Sequence, residues 1–420
     1  YFLFLRQLAT QAHLLTVLDA DTVRRYPELA ASAQPPTLVN LRRALAEIRE
    51  AMRADLAAGR EPVLYFAFSG HGQVDEHGEA YLALEDGRLS QNVLYQEVID
   101  ELPARRVHMF IDACHAGAVV GVRGGMFGTE RDAAHVSVDP DKVLPLLAQN
   151  LRTRHPNLGV IVAATSDNET HEWSRIESGV FTHELISALA GAADVNHDGT
   201  IEYSEVHAFV AAANRGAADP RAIFQVVALP PQGEAKILAL DDLKDSVYLS
   251  HDRSRLGHFF VELANGQRYL DAHLGAVEPT RLAVPKNTRA YVRTEELEAT
   301  LAARAQGTVK VSELAFRPRE ARARGSVEAA YQDALFSAPY GDAYYRGFVD
   351  RMGEPGVRFD ASRRARELPV LIAQGPDRTV PVTALMVSGV AAAASLTLFV
   401  LAVGANDDFD NTTFQRPAQE

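Results

Sequence analysis

Cysteine is almost missing from this sequence, which has one, Cys114, in 420 residues. A single thiol excludes disulfides within the chain and cysteine-rich zinc sites, and it is typical of a reducing compartment. Any cysteine chemistry must therefore take place at Cys114. A basic surplus is missing too, because 42 Lys and Arg stand against 55 Asp and Glu, a formal charge of -13. This balance argues against a nucleic-acid partner, which usually binds a positively charged surface.

The first half of the sequence alternates short apolar runs with helical patterns. We predict strands at 14–18, 63–68, 107–112 and 160–164, which are apolar almost throughout, as in strands that are covered on both faces. Helices are predicted at 38–58, 93–102, 142–151 and 180–190. This rhythm predicts an α/β fold over residues 1–217, with a mostly parallel sheet and helices on both faces. The first residues read as the middle of a helix, so we expect this domain to be incomplete at its N-terminus.

Further along, the pattern changes to short alternating runs. Asn265-Gly266 separates two of them and is a strong hairpin signal. We predict a smaller β-rich module over 218–350. Residues 351–379 mix Gly, Pro and Arg without periodicity and are interpreted as a linker.

One long segment near the end, 380–405, carries no charge over 26 residues. Roughly 20 apolar residues span a bilayer, and the small residues here favour a transmembrane helix over the alternative, a buried helix of the globular part. Arginines precede the segment and aspartates follow it. The positive-inside rule then places the large N-terminal part in the cytoplasm and the short tail, 406–420, outside. We therefore expect a single-pass membrane protein that contacts the lipid bilayer through 380–405.

Two predicted strands end in residues suited to nucleophilic catalysis. The strand at 63–68 continues into Ser-Gly-His71-Gly72, and the strand at 107–112 continues into Ala-Cys114-His-Ala-Gly. If the strands are neighbours, the imidazole of His71 would accept the thiol proton of Cys114 at the carboxyl edge of the sheet. The N–H groups of Gly72 and Cys114 would then stabilise an oxyanion. The alternatives are a core histidine and a buried cysteine that acts as a small hydrophobe.

The stretches YFAFSGHG, VHMFIDACHAG and VIVAATSDNETHEWSRIESGVFTHELISAL resemble the caspase-like cysteine peptidases, in particular the metacaspase and bacterial caspase-like branch. The resemblance implies a hydrolase that carries out proteolysis with the dyad His71 and Cys114. It also implies that Asp112, two residues before the cysteine, binds an Arg or Lys side chain of the substrate. A buried carboxylate suits a bidentate guanidinium. The alternatives for Asp112 are to cap a helix or to orient His115.

A second motif, DVNHDGTIEYSE at 194–205, matches the EF-hand calcium loop D-x-[DN]-x-[DN]-G-x5-E. Helices are predicted on both sides of it, as this unit requires. The predicted ligands are the side chains of Asp194, Asn196 and Asp198, the carbonyl of Thr200, Glu202 directly or through water, and two oxygens of Glu205. We therefore predict Ca²⁺ at this loop, with a structural or a regulatory role. The alternative is an acidic loop that keeps the shape without the affinity.

Together these patterns predict a membrane-anchored cysteine-type endopeptidase that cleaves protein or peptide substrates after Arg or Lys. One alternative is a catalytically silent, membrane-tethered calcium-binding scaffold for interactions. Another is a transferase or deamidase that uses the same dyad.

Overall fold

The structure is a computed structural model and describes residues 1–113, 116–120, 151, 153–164, 172–173, 178–216, 225–252, 257–275, 279–319, 335–353 and 355–359. Its helices are α1 (Phe2–Leu5), α2 (Ala20–Arg25), α3 (Pro27–Ser32), α4 (Leu38–Ala57), α5 (Gln91–Val93), α6 (Ala116–Val120), α7 (Val180–Ser187), α8 (Tyr203–Ala213) and α9 (Asp342–Met352). The π-helices Leu94–Asp100 and Ala188–Ala192 continue α5 and α7, and short 3-10 helices lie at Leu240–Asp242 and Val311–Glu313.

The strands of the first half are β1 (Leu14–Leu15), β2 (Ala33–Gln34), β3 (Val63–Gly70), β4 (Gly72–Val74), β5 (Ala80–Leu84), β6 (Gly87–Ser90), β7 (Arg106–Ala113), β8 (Leu158–Ala164), β9 (Glu172–Trp173), β10 (Ser178–Gly179) and β11 (Thr200–Glu202). Those of the second half are β12 (Gln225–Leu229), β13 (Lys236–Ala239), β14 (Ser246–His251), β15 (His258–Leu263), β16 (Arg268–His273), β17 (Thr280–Pro285), β18 (Ala290–Arg293), β19 (Leu297–Leu301), β20 (Thr308–Lys310) and β21 (Arg317–Pro318).

A four-stranded sheet in the order β12-β8-β7-β3 forms the centre of the first half. Strands β3, β7 and β8 run parallel, whereas β12 is antiparallel to β8. Phe66, Phe68, Phe110, Ile111 and Ile161 are all completely buried, as expected for strands that are covered on both faces. The predicted mostly parallel sheet is therefore present, and its strands at 63–68, 107–112 and 160–164 are confirmed.

The predicted strand at 14–18 does not join this sheet. Only Leu14 and Leu15 form a strand, and they pair in parallel with β2. Leu14, Leu15 and Thr16 are buried, but Val17 is exposed, and the strand pairing ends at Leu15. The predicted helix at 93–102 also differs, because most of it is the π-helix that follows α5.

Helix α4 confirms the predicted helix at 38–58. Thr37 caps its N-terminus, since the Thr37 hydroxyl accepts a hydrogen bond from the Asn40 N–H at 3.2 Å. Leu41, Leu45, Ile48 and Met52 recur at helical spacing and are buried in the core.

Two sheets build most of the second half, one in the order β17-β14-β20 and one in the order β16-β15-β18-β19-β21. The predicted hairpin at Asn265-Gly266 joins β15 to β16, with Leu263 N–H donating to the Gln267 carbonyl at 2.8 Å. Gly266 has φ 91, which the turn requires and which most side chains disfavour. Strand β12, in contrast, follows residue 217 yet belongs to the central sheet.

Among the described residues, no helix combines the length and the apolar character needed to cross a bilayer. The predicted transmembrane segment 380–405, the tail 406–420 and the linker beyond residue 359 lie outside the described residues, as do residues 142–150 of a predicted helix.

Candidate active site and calcium loop

Strands β3 and β7 are parallel neighbours, as the dyad requires. Ser69 lies opposite Asp112, and Gly70 lies opposite Ala113. In the sequence, His71 directly follows the last residue of β3, and Cys114 directly follows the last residue of β7. Cys114 itself lies outside the described residues, together with His115.

The backbone at His71 turns directly from β3 into β4. His71 is exposed, and its carbonyl accepts a hydrogen bond from the Ala83 N–H at 2.8 Å. Gly72, which is buried, lies opposite Leu82 in the antiparallel pair β4–β5. Opposed residues of such a pair alternate between bonded and non-bonded. Because His71 and Ala83 form the bonded pair, the N–H of Gly72 points away from β5.

Asp112 is 3% exposed and contacts the start of α7. Its Oδ2 accepts a hydrogen bond from the Thr182 hydroxyl, and the backbone N–H of Thr182 also donates to this carboxylate. The chain also passes very close at Gly179, where a Cβ would lie 2.6 Å from Asp112 Oδ2. The predicted alternative role of capping a helix is thus visible, because Thr182 lies in the first turn of α7.

Asp112 has no cationic partner within the part of the chain that the structure describes. Burial raises the pKa of Asp112 to about 6, and the hydrogen bonds from Thr182 oppose this only in part. The carboxylate is therefore a buried charge whose compensation by the protein is incomplete.

A second buried carboxylate, Asp271 on β16, was not indicated by any sequence motif. It accepts hydrogen bonds from His183 Nε2 and His258 Nε2, both at 2.7 Å, and from the guanidinium of Arg268. We call these four residues the Asp271 cluster. Burial alone would raise the pKa of Asp271, but the charge of Arg268 and the hydrogen bonds from both histidines hold it well below its usual value. The cluster joins α7 to the five-stranded sheet.

The loop at 194–205 is folded by hydrogen bonds from its own backbone to its carboxylate and amide oxygens. Asp194 Oδ2 accepts from the Gly199 N–H at 3.1 Å, Asn196 Oδ1 from the Asp198 N–H at 3.1 Å, and Asp198 Oδ1 from the Thr200 N–H at 2.7 Å. Gly199 has φ 79 at the sharp turn. Four of the predicted ligands, those from Asp194 to Thr200, are thus drawn around one turn.

The remaining predicted ligands, Glu202 and Glu205, form a capping box at the start of α8. Glu205 is completely buried, and its oxygens accept from the N–H groups of Val195 at 3.1 Å and Glu202 at 2.9 Å. Among the residues described, no group of three or more His, Cys, Asp or Glu side chains is arranged to hold a metal.

The chemistry of the loop nevertheless fits a divalent cation. Asp194 Oδ1 is buried and has no hydrogen-bond partner. Burial, followed by the nearby charge of Asp198, raises the pKa of Asp194 to about 6, and burial raises the pKa of Glu205. A bound Ca²⁺ would satisfy the open carboxylate oxygen and offset the concentrated negative charge.

Comparison with known proteins found one similarity, in the first half of the chain. Residues 19–217 match the model of the family described as the caspase domain. This part of the chain is therefore similar to the caspase domain, a domain of cysteine peptidases, which are hydrolases of protein substrates. None of the curated proteins compared with the chain matches it.

Proposed function

We propose that the chain is a cysteine endopeptidase in which His71 and Cys114 form the catalytic dyad. The observation that carries this proposal is the parallel register, with Gly70 opposite Ala113. Neighbouring strands lie about 4.8 Å apart. His71 and Cys114 directly follow this paired position, so their side chains can approach to hydrogen-bond distance.

The proposed reaction is an acyl transfer to sulfur followed by hydrolysis. His71 accepts the thiol proton, and Cys114 Sγ attacks the scissile carbonyl carbon. The N–H groups of Gly72 and Cys114 stabilise the oxyanion. The N–H of Gly72 suits this role, because it points away from the β4–β5 ladder. His71 then donates its proton to the leaving amine, and water hydrolyses the thioester to release the acid and restore the thiol.

Asp112 is the proposed determinant of cleavage after Arg or Lys. A buried carboxylate without a cationic partner gains most from a substrate that brings the cation. An Arg side chain would offer two parallel N–H donors to it. The hydrogen bonds from Thr182 are compatible with this role, because each carboxylate oxygen can accept more than one hydrogen bond.

Calcium is the proposed ligand of the 194–205 loop, held by Asp194, Asn196, Asp198, the Thr200 carbonyl, Glu202 and Glu205. Binding requires Glu205 to turn from its backbone contacts toward the loop centre. Support comes from the open Asp194 oxygen and from the loop's hydrogen bonds.

Residues 380–405 are the proposed membrane anchor, with the caspase domain in the cytoplasm. The support is their uncharged length and the arginines before them. Sealed inside-out vesicles treated with an external protease would lose the caspase domain if this orientation is correct, and would protect it if the orientation is reversed.

The catalytic proposal is tested with the solubilised full chain and Arg, Lys and Asp reporter peptides. We expect cleavage of the Arg and Lys reporters, and none by Cys114→Ala or His71→Ala. His77→Ala is the matched control, since His77 is exposed on the turn between β4 and β5, and it should retain full activity. Turnover by Cys114→Ala would contradict the mechanism.

A cysteine-reactive activity probe separates the remaining readings. The dyad predicts labelling at Cys114 that His71→Ala abolishes. Absence of labelling favours the silent scaffold, and labelling without peptide cleavage favours a transferase or deamidase.

A further inference from the structure

We propose that residues 355–359 are an arm of the calcium loop, and that the Arg358 carbonyl orients Asn196 for the metal. Calcium binding and docking of this arm would therefore stabilise each other. The inference rests on the proposed binding of calcium and adds a coupling between the loop and a segment about 150 residues further along the chain.

The contact that carries the inference is a hydrogen bond from Asn196 Nδ2 to the Arg358 carbonyl, 3.1 Å long. A carbonyl oxygen only accepts, so it favours the amide orientation in which nitrogen faces Arg358. The same nitrogen also donates to Asp198 Oδ2 at 2.9 Å, and Oδ1 accepts from the Asp198 N–H, so contacts within the loop favour this orientation as well. A cation at the loop needs this same orientation, because it binds oxygen.

The arm is held in place by contacts of its own. The Val357 N–H donates to the Tyr345 hydroxyl at 2.7 Å, and that hydroxyl also forms a 2.8 Å hydrogen bond with Ser204. Ser204 lies between the predicted ligands Glu202 and Glu205. Tyr345 therefore connects the arm to the helix that leaves the loop.

The end of the arm packs on α9. The Phe359 ring lies 5.9 Å from the ring of Tyr345, centroid to centroid, and the Arg346 guanidinium lies over Phe359 at 4.0 Å. These contacts lie outside the loop, so Phe359 can be changed without removing a proposed metal ligand.

The residue Tyr340 links the same segment to both ends of the loop. The oxygen of its hydroxyl lies 3.3 Å from the carbonyl oxygens of both Ala193 and Glu205, which share its single proton. Calcium binding to sensor EF-hands changes the angle between the flanking helices. Because Tyr340 contacts residues on both sides of the loop, a change in the angle between the flanking helices would move it.

The proposed consequence is mechanical. In the sequence, the arm lies within the predicted linker at 351–379 and precedes the proposed membrane anchor. Calcium would tighten the attachment of the caspase domain to the part of the chain that leads to the bilayer.

The test measures calcium affinity and amide exchange on the solubilised full chain. We expect Phe359→Ala to weaken calcium binding about fivefold, the worth of one neutral hydrogen bond. Phe316→Ala is the matched control, a half-buried phenylalanine of the β-rich half, and should bind calcium as the wild type does. If Phe359→Ala fails to fold, Arg346→Leu removes the cation–π contact more gently and should act in the same direction.

Hydrogen exchange supplies the reciprocal readout. Calcium should slow exchange of the amides at 355–359 in the wild type, and Asn196→Asp, which lacks the donor to Arg358, should lose that effect. Calcium binding with unchanged exchange at 355–359, or unchanged affinity in Phe359→Ala, overturns this inference alone. Absence of calcium binding by the wild type overturns it together with the calcium proposal.

Discussion

We expect the buried charge of Asp112 to lower the free energy of unfolding, and the Asp112→Asn variant allows the size of this effect to be measured. Burial raises the pKa of this carboxyl from 3.8 to about 6. Since each unit corresponds to 1.36 kcal/mol, the charged form costs about 3 kcal/mol at neutral pH. An asparagine is uncharged and keeps an oxygen that can accept from Thr182. We therefore expect the free energy of unfolding to increase by about 2–3 kcal/mol at pH 7.5, while selectivity for Arg reporters is lost.

The pH dependence gives the sign of the effect. With a folded pKa of about 6 and an unfolded value near 3.8, the native state binds more protons than the unfolded state between these values. The contribution of Asp112 to stability therefore falls as the pH rises through this window. The advantage of Asp112→Asn should be full above pH 7, decline below pH 6 and disappear near pH 4, as measured by urea unfolding at a series of pH values.

Asp271→Asn is the matched control with the opposite sign. The pKa of Asp271 is held well below its usual value despite burial, so its charge stabilises the fold at neutral pH, and this contribution is lost as the pH falls through the acidic range. Removing it should cost about 3–5 kcal/mol at pH 7.5, the cost of breaking a buried charge network. An Asp112→Asn variant that is less stable than the wild type at pH 7.5, or a difference that stays constant from pH 4 to 8, would refute the argument.

Two further predictions concern the calcium loop and the helix before it. Calcium should raise the melting temperature of the wild type above its value in chelator, and Glu205→Gln should abolish this shift; a shift of the same size in the variant would remove Glu205 from the site. Gly191→Ala should destabilise the protein by more than about 2 kcal/mol, because Gly191 has φ 112 and a Cβ there would collide with the carbonyl of Arg281. Gly233→Ala is its control, with φ 77 and no atom near the Cβ position, and should cost only about 1 kcal/mol. Equal urea midpoints for the two glycine variants would contradict the steric argument.

The central strands could be predicted because their signal is local. Residues 63–68 and 107–112 are apolar runs that end in glycine-rich or chemically reactive residues, and such runs report burial directly. The sequence left open whether these two strands are neighbours, whereas the prediction of a site at their carboxyl ends follows from a general rule for parallel sheets. The strand predicted at 14–18 is present only at Leu14 and Leu15 and lies outside the central sheet, because an apolar run does not reveal which strand it will pair with.

Other features depend on contacts between distant parts of the chain. Strand β12 pairs antiparallel with β8, which lies about 60 residues earlier in the chain. No periodic pattern in the sequence predicts that pairing. The Asp271 cluster combines residues of a helix and a hairpin that lie about 80 residues apart. Nothing in the sequence indicates that Arg268 and Asp271 are buried, because a buried ion pair consists of the same residue types as an exposed one.

The edge position of β12 has a consequence for anyone who wishes to isolate the part of the chain that matches the caspase domain. A recombinant protein that ends at residue 217 would lack this strand, and β8 would then present an unpaired, fully apolar margin to other molecules. It would also leave the imidazole of His183 without its carboxylate. Such a fragment should self-associate on expression, which makes the two halves of the chain one unit of folding.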